Sequence, residues 1–274
     1  MLQADNVTFV HGARRPGLML AGGDAALPGV QQVSLDIDQG SVVGILGPNG
    51  SGKTTLLRLL AGMLTPSSGQ VSLDGTSLAS IARRDLARRV AVVPQETHLA
   101  FDYSVLEIAL MGRYPHLGAF ELEGPRDLAI ARDALKATGT AHLETRSFST
   151  LSGGEKQRVV IASALAQEAD MLLLDEPTAS LDLGYQLDVC RLITRLNRER
   201  TLTVVVATHD LTFAAALCES LVLLRSGRVL ASGPTRQTLT ADAIRALYDV
   251  EAIVDWHQAA GHLTVVPIQR AHHA

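Results

Sequence analysis

The eight residues Gly47-Pro48-Asn49-Gly50-Ser51-Gly52-Lys53-Thr54 limit what this chain can fold into more than any other feature. They fit the pattern G-x-x-x-x-G-K-[ST]. Before them stands Val42-Val43-Gly44-Ile45-Leu46, apolar on both faces as a central strand of a parallel sheet is, and after them a helical pattern runs from residue 53 to about 63. A strand–turn–helix of this composition is built to wrap phosphates. Glycines let successive N–H groups point inward with no β-carbon in the way. The helix aims its positive end at the same anion. Lys53, expected at a solvent-facing position, supplies an ammonium for the β- and γ-phosphates, and Thr54 a hydroxyl for Mg²⁺, with Thr55 next along the cradle.

The rest of the chain reads as α/β. Val7-Thr8-Phe9-Val10 and Val33-Ser34-Leu35-Asp36-Ile37 alternate as half-buried antiparallel strands do, and residues 11–29, rich in Gly, Pro and Arg, read as a long hairpin loop between them. Residues 90–93, 171–174 and 203–207 read as buried strands, with a helix at about 187–198. Residues 95–166 carry helical spacing at 106–111, 127–136 and 159–166. A hairpin at 221–224 and 229–231 turns at Gly227. A helix at 241–248 and a strand near 263–266 close the chain. The expectation is one domain over 1–274: a mixed-sheet α/β core with an N-terminal antiparallel β subdomain (1–94 and 167–274), and an inserted helical subdomain (95–166).

With 274 residues, 47% hydrophobic and 19% charged, the chain can bury a sizeable core. A net charge of −4 argues against a nucleic-acid partner. No apolar run approaches the ~18 residues of a membrane span. The start Met1-Leu2-Gln3-Ala4-Asp5 lacks the pattern of a signal peptide. Cys190 and Cys218 have no neighbours at metal-ligand spacing and read as reduced thiols of a cytosolic protein. If such a chain works at a membrane, a partner supplies the membrane part.

Two further patterns carry chemistry. Met171-Leu172-Leu173-Leu174-Asp175-Glu176 is an apolar strand ending in two carboxylates: Asp175 placed for the Mg²⁺ shell, and Glu176 to polarise an attacking water. Leu151-Ser152-Gly153-Gly154-Glu155 opens a helix with a capping box formed by Ser152 and Glu155. Two glycines in a first turn cost about 1 kcal/mol each in helix propensity. They make sense where something, an anion above all, approaches the backbone closely.

These segments resemble the motifs of ATP-binding cassette (ABC) proteins, in family order: the phosphate loop, Gln95 after Val92-Val93-Pro94, the signature Leu151 to Glu155, Asp175-Glu176-Pro177-Thr178, Ser180-Leu181-Asp182, and His209 in Ala207-Thr208-His209-Asp210. The resemblance implies ATP and Mg²⁺ as ligands. It implies Glu176, His209 and Gln95 in catalysis, and Thr54, Gln95 and Asp175 at the metal. It also implies Ser152, Gly153 and Gly154 on the γ-phosphate of ATP held by a second copy, Asp182 crossing between the copies, and therefore a head-to-tail dimer. Where relatives stack an aromatic on adenine, register places His11. Phe9, two residues earlier, is expected to turn its ring away.

The stretch Phe101 to His116, with Val105, Glu107, Gly112, Arg113, Pro115 and His116 in register, resembles cassettes serving iron–siderophore, haem and cobalamin import, as does the ending Leu247 to Glu251 with its terminal strand. The implied protein is the ATP-hydrolysing subunit of an importer, peripheral on the cytoplasmic face of the inner membrane. It would work with permease subunits and, indirectly, a substrate-binding protein. The alternatives are an ABC ATPase of another importer class, or a soluble one acting on DNA or ribosomes; the soluble kind lacks support because the chain has no long coiled-coil insertion and only one phosphate loop and one signature. A kinase-like P-loop enzyme would lack the segment Leu151 to Glu155.

Overall fold

The computed structural model describes residues 1–11, 28–97, 101–179 and 181–271. Most of the long loop expected at 11–29, and Ser180, lie outside them. The chain divides into two compact units, one of residues 1–81 and 207–274, the other of 82–206.

The first unit opens with strands β1 (Leu2–Val10), β2 (Pro28–Ile37) and β3 (Val42–Leu46), helix α1 (Lys53–Leu60) and strands β4 (Ser68–Leu73) and β5 (Thr76–Ser77). The second holds α2 (Arg83–Ala87), β6 (Val90–Val93), α3 (Val105–Met111), α4 (Pro125–Ala137), α5 (Gly153–Ala166), β7 (Met171–Asp175) and α6 (Leu183–Arg200). Strand β8 (Thr203–Thr208) straddles the division. The chain then returns to the first unit with α7 (Leu211–Leu217), β9 (Ser220–Arg225), β10 (Arg228–Pro234), α8 (Thr235–Thr238), α9 (Ala241–Tyr248), β11 (Val250–His257) and β12 (His262–Arg270).

In the first unit, β2-β1-β4-β5 form an antiparallel sheet. Its register sets Leu2 opposite both Ile37 and Leu73, so the alternating apolar residues Leu2, Ala4, Leu35, Ile37, Val71 and Leu73 are buried together. Strand β3 pairs parallel with β9, and β9 antiparallel with β10, which makes the sheet mixed as expected. Helix α1 stops earlier than the pattern suggests. Gly62 takes φ 66°, and the N–H groups of Met63 and Leu64 return to the Arg58 carbonyl at 2.9 and 3.2 Å, ending the helix in a left-handed cap and leaving Met63 exposed. The C-terminal strand is half of a hairpin, β11–β12, in which Ile253 faces Val266. Strand β11 escaped the sequence reading because none of it is buried, half of it being exposed, and it lacks the one-sided apolar alternation of a strand on a core.

In the second unit, β6 and β7 pair in parallel, with Val93 opposite Leu174. Helices α3, α4 and α5 pack on one another through Val105, Ile108, Ala109, Ala131, Leu135, Val159 and Ala162. Each carries in its first turn an acidic residue whose carboxylate accepts the backbone N–H three residues earlier: Glu107 from Ser104 at 2.7 Å, Asp127 from Gly124 at 3.0 Å and Glu155 from Ser152 at 2.8 Å. The expected helical segment 95–166 lies wholly within this unit, which also takes in α2, β6, β7 and α6.

Candidate functional site

In the first unit the phosphate loop is held from behind by backbone. A β-carbon on Gly47 would stand 2.2 Å from the Leu224 carbonyl oxygen, and one on Gly52 2.2 Å from that of Gly29, where Gly52 has φ +103°. Both positions therefore require glycine. The Ser51 carbonyl accepts from Gly227 N–H at 2.8 Å, which ties the loop to the turn between β9 and β10. On the front, a β-carbon on Gly50 would meet nothing within 4 Å.

Lys53 is not at a solvent-facing position. It is 6% exposed, and its ammonium donates to the carbonyls of Gly47 at 2.9 Å and Pro48 at 3.2 Å. The first turn of a helix lies against the loop, so its side chain must fold back over the loop rather than extend outward. Helix α1 has no side-chain cap at Gly52, and the Ser51 hydroxyl is buried with no hydrogen-bond partner among the described residues. An uncapped helix start, an unpartnered buried hydroxyl and a buried ammonium are what a phosphate would satisfy. The residues fit the group.

His11 sits at the end of β1, with Nε2 3.2 Å from the Thr55 hydroxyl. Its ring meets that of Phe9 edge-on, at 5.0 Å between centroids and 86°. The expectation that Phe9 turns away fails, because residues two apart on a strand share a face. Gly29 leaves room for the imidazole, since a β-carbon there would stand 2.7 Å from Nε2. His209 is exposed just after β8. Its carbonyl accepts from the Tyr248 hydroxyl at 3.4 Å, and the following Asp210 caps α7.

In the second unit, the parallel pairing of β6 and β7 brings Gln95, Asp175 and Glu176 to the same strand ends, where ligands of α/β sheets gather. Asp175 and Glu176 are both buried. Glu176 has φ +48°, which an ordinary residue occupies only at some cost and which turns its side chain away from the direction set by β7. The capping box at Ser152 is complete, its hydroxyl also 2.9 Å from Glu155 Oε2. Beside it lies the turn before α6. Leu181 is 3.6 Å from a β-carbon built on Gly153, and Asp182 accepts from Tyr185 N–H at 3.2 Å.

Tyr185, which sequence reasoning missed, lays its ring against Gly154; a β-carbon there would stand 2.5 Å from Cδ1. So the neighbour that makes glycine necessary at 154 within this chain is an aromatic ring of α6. Its one sequence signal was its place three residues after Asp182. Ser152 is exposed. Thr54 lies in the first unit, whereas Gln95 and Asp175 lie in the second.

A model of the ABC transporter family matches residues 30–179, and the chain belongs to that family. Over 258 residues it is 38% identical to the ferric enterobactin transport ATP-binding protein FepC of Escherichia coli, covering 94% of this chain and 95% of the relative. Over 254 residues it is 41% identical to the cobalamin import ATP-binding protein BtuD of Halobacterium salinarum, covering 92% of this chain but 63% of that relative's length. Among solved structures it resembles an ABC transporter assigned to the metal-chelate type, in an inward-facing conformation (TM-score 0.82, 32% identity, 97% of this chain and 96% of that one). It also resembles a dimeric ATP-binding cassette in a post-hydrolysis state with ADP and Pi (TM-score 0.73, 29% identity, 86% of this chain and 99% of that one). The fold is that of an ABC cassette. No helix among the described residues is long and apolar enough to cross a membrane.

Proposed function

We propose that this chain is the ATP-hydrolysing subunit of an importer for a metal chelate of the iron–siderophore, haem or cobalamin kind. The observation that carries the reading is the phosphate loop: a buried Lys53 ammonium, an unpartnered buried Ser51 hydroxyl and an uncapped start of α1, all at a glycine turn that backbone contacts leave no freedom to fill. Gly47 to Thr55 bind the triphosphate. Magnesium, bound with it, neutralises phosphate charge; Thr54, Gln95 and Asp175 are the residues that would hold it. Glu176 orients and deprotonates the attacking water, His209 contacts the γ-phosphate, and His11 lies against the base. Ser152, Gly153, Gly154 and Asp182 meet the nucleotide of a second copy, so a catalytic site is complete only in a dimer.

The metal-chelate class is supported by the ferric enterobactin and cobalamin relatives and by the metal-chelate type of the structural neighbour. The partners are then permease subunits, met on the cytoplasmic face of the inner membrane through the region from Gln95 to His116, and indirectly a substrate-binding protein. No nucleic acid is required. A deletion strain should lose growth on one of a siderophore, haem or cobalamin source and regain it with the intact gene. Normal growth on all three, with loss on a sugar or peptide, overturns the substrate class.

A further inference from the structure

The stretch Gly112 to His116, singled out above for its family resemblance, ties together four segments of the second unit. At the end of α3, a β-carbon on Gly112 would stand 1.9 Å from the Ser163 carbonyl oxygen of α5, so the two helices touch backbone to backbone. Arg113 is 2% exposed. Its Nη1 donates to the carbonyl of Ala166, the last residue of α5, at 2.6 Å, and to Glu168 Oε2 at 2.7 Å. Its Nε donates to Asp127 Oδ1 at 3.0 Å, the carboxylate that caps α4. The Pro115 carbonyl accepts from Arg84 Nε and Arg88 Nε, each at 2.9 Å, at and just beyond α2. His116 Nε2 lies 2.8 Å from the Gln167 carbonyl, and the Gln167 amide donates to Val90 at 2.9 Å, where β6 begins its run toward Gln95.

The C-terminal end of α5 is thus clamped, while its N-terminal end carries Ser152 and Gly154. A helix of 14 residues is a rod about 21 Å long, so an axial shift at one end appears at the other. We propose that Gly112 and Arg113 are positioning residues for the signature end of α5: they set the axial position of that helix and couple it to β6 and Gln95. This rests on the reading that Ser152 and Gly154 meet the nucleotide of a second copy. The guanidinium suits the task because its planar fork reaches three acceptors at once, which an ammonium on a flexible stem cannot match.

The test uses the full chain in a Glu176→Gln background, with two readouts: binding of a fluorescent ATP analogue at low protein concentration, which reads the phosphate loop, and the midpoint of ATP-dependent dimerisation in sedimentation. Arg113→Gln and Gly112→Ala should leave nucleotide affinity within about threefold and weaken dimerisation about tenfold or more, with Arg113→Lys between parent and Arg113→Gln. Dimerisation unchanged in both variants overturns the proposal, as does a parallel loss of nucleotide affinity, which would mark general destabilisation. If Arg113→Gln fails to fold, Glu168→Gln, altering a half-exposed partner, carries the same expectation in smaller degree. Ser152→Ala is the separate check on the underlying reading: if it dimerises like the parent, the two-copy site is wrong whatever Arg113 does.

Discussion

The ring of Tyr185 stands where a side chain on Gly154 would have to go, its Cδ1 2.5 Å from the position of a β-carbon. Overpacking of this kind costs about 1–3 kcal/mol, against about 1 kcal/mol gained when Ala replaces Gly in a helix. Gly154→Ala should therefore lower Tm by up to about 6 °C. In a Tyr185→Ala background the same change should be neutral or stabilising. Thermal melts of the four proteins measure both, and equal effects in the two backgrounds would exclude the contact as the cause.

Lys53→Met should abolish ATP binding while the fold survives. The methionine keeps the apolar stem in its buried position and removes the ammonium that Gly47 and Pro48 accept from. Two carbonyls lose a charged donor, at a cost of about 1–3 kcal/mol, within the stability of an ordinary domain. Calorimetric titration with Mg-ATP beside a thermal melt separates the two effects. Affinity equal to wild type would end the phosphate-loop assignment.

Glu176→Gln should hydrolyse ATP at least about 10²-fold more slowly and accumulate as an ATP-bound dimer. The amide keeps the buried side chain's shape but can no longer take a proton, so the γ-phosphate that joins the copies persists. Removing two negative charges per dimer near the triphosphates also favours closure. Size-exclusion chromatography at millimolar Mg-ATP should give a dimer for the variant and mainly monomer for wild type with ADP. A variant that turns over normally shows that another group activates the water.

Acid should loosen the second unit's helices first. Glu107, Asp127 and Glu155 each sit below the ordinary carboxylate range, chiefly because each accepts the backbone N–H of Ser104, Gly124 or Ser152; the serine hydroxyls add to this for Glu107 and Glu155, and Arg113 for Asp127. A carboxylate with a depressed folded pKa contributes stability above its unfolded pKa and loses it as pH falls through the folded value. Stability measured by urea unfolding should therefore fall from about pH 5 downward. The triple variant Glu107→Gln, Asp127→Asn, Glu155→Gln should be weaker at pH 7 and flatter below pH 5, about where unfolded carboxylates begin to protonate. An identical pH slope in the triple variant refutes this account.

Local chemistry was legible in the sequence because it is written in neighbouring residues. A glycine loop between a two-sided apolar strand and a helix, a strand ending in Asp175 and Glu176, and a Ser152–Glu155 box each need only the chain's own spacing, and each is where the spacing put it. The helices at 106–111 and 127–136 were found to within two residues for the same reason. The end of α1 was missed, since Gly62 in a left-handed cap overrides an apolar pattern that continues to Met63.

What only the tertiary structure decided are contacts between residues far apart in sequence. That Arg113 is a buried clamp on Ala166, Glu168 and Asp127 depends on how three helices cross, and no spacing within 112–116 carries it. That Gly154 is glycine because of Tyr185, and that Gly47 and Gly52 are closed in by Leu224 and Gly29, follows from backbones meeting across the fold. Sequence periodicity reports which way a residue points along its own element. Burial of Lys53 and the company of Arg113 are set by which other elements arrive there, and that is determined by packing.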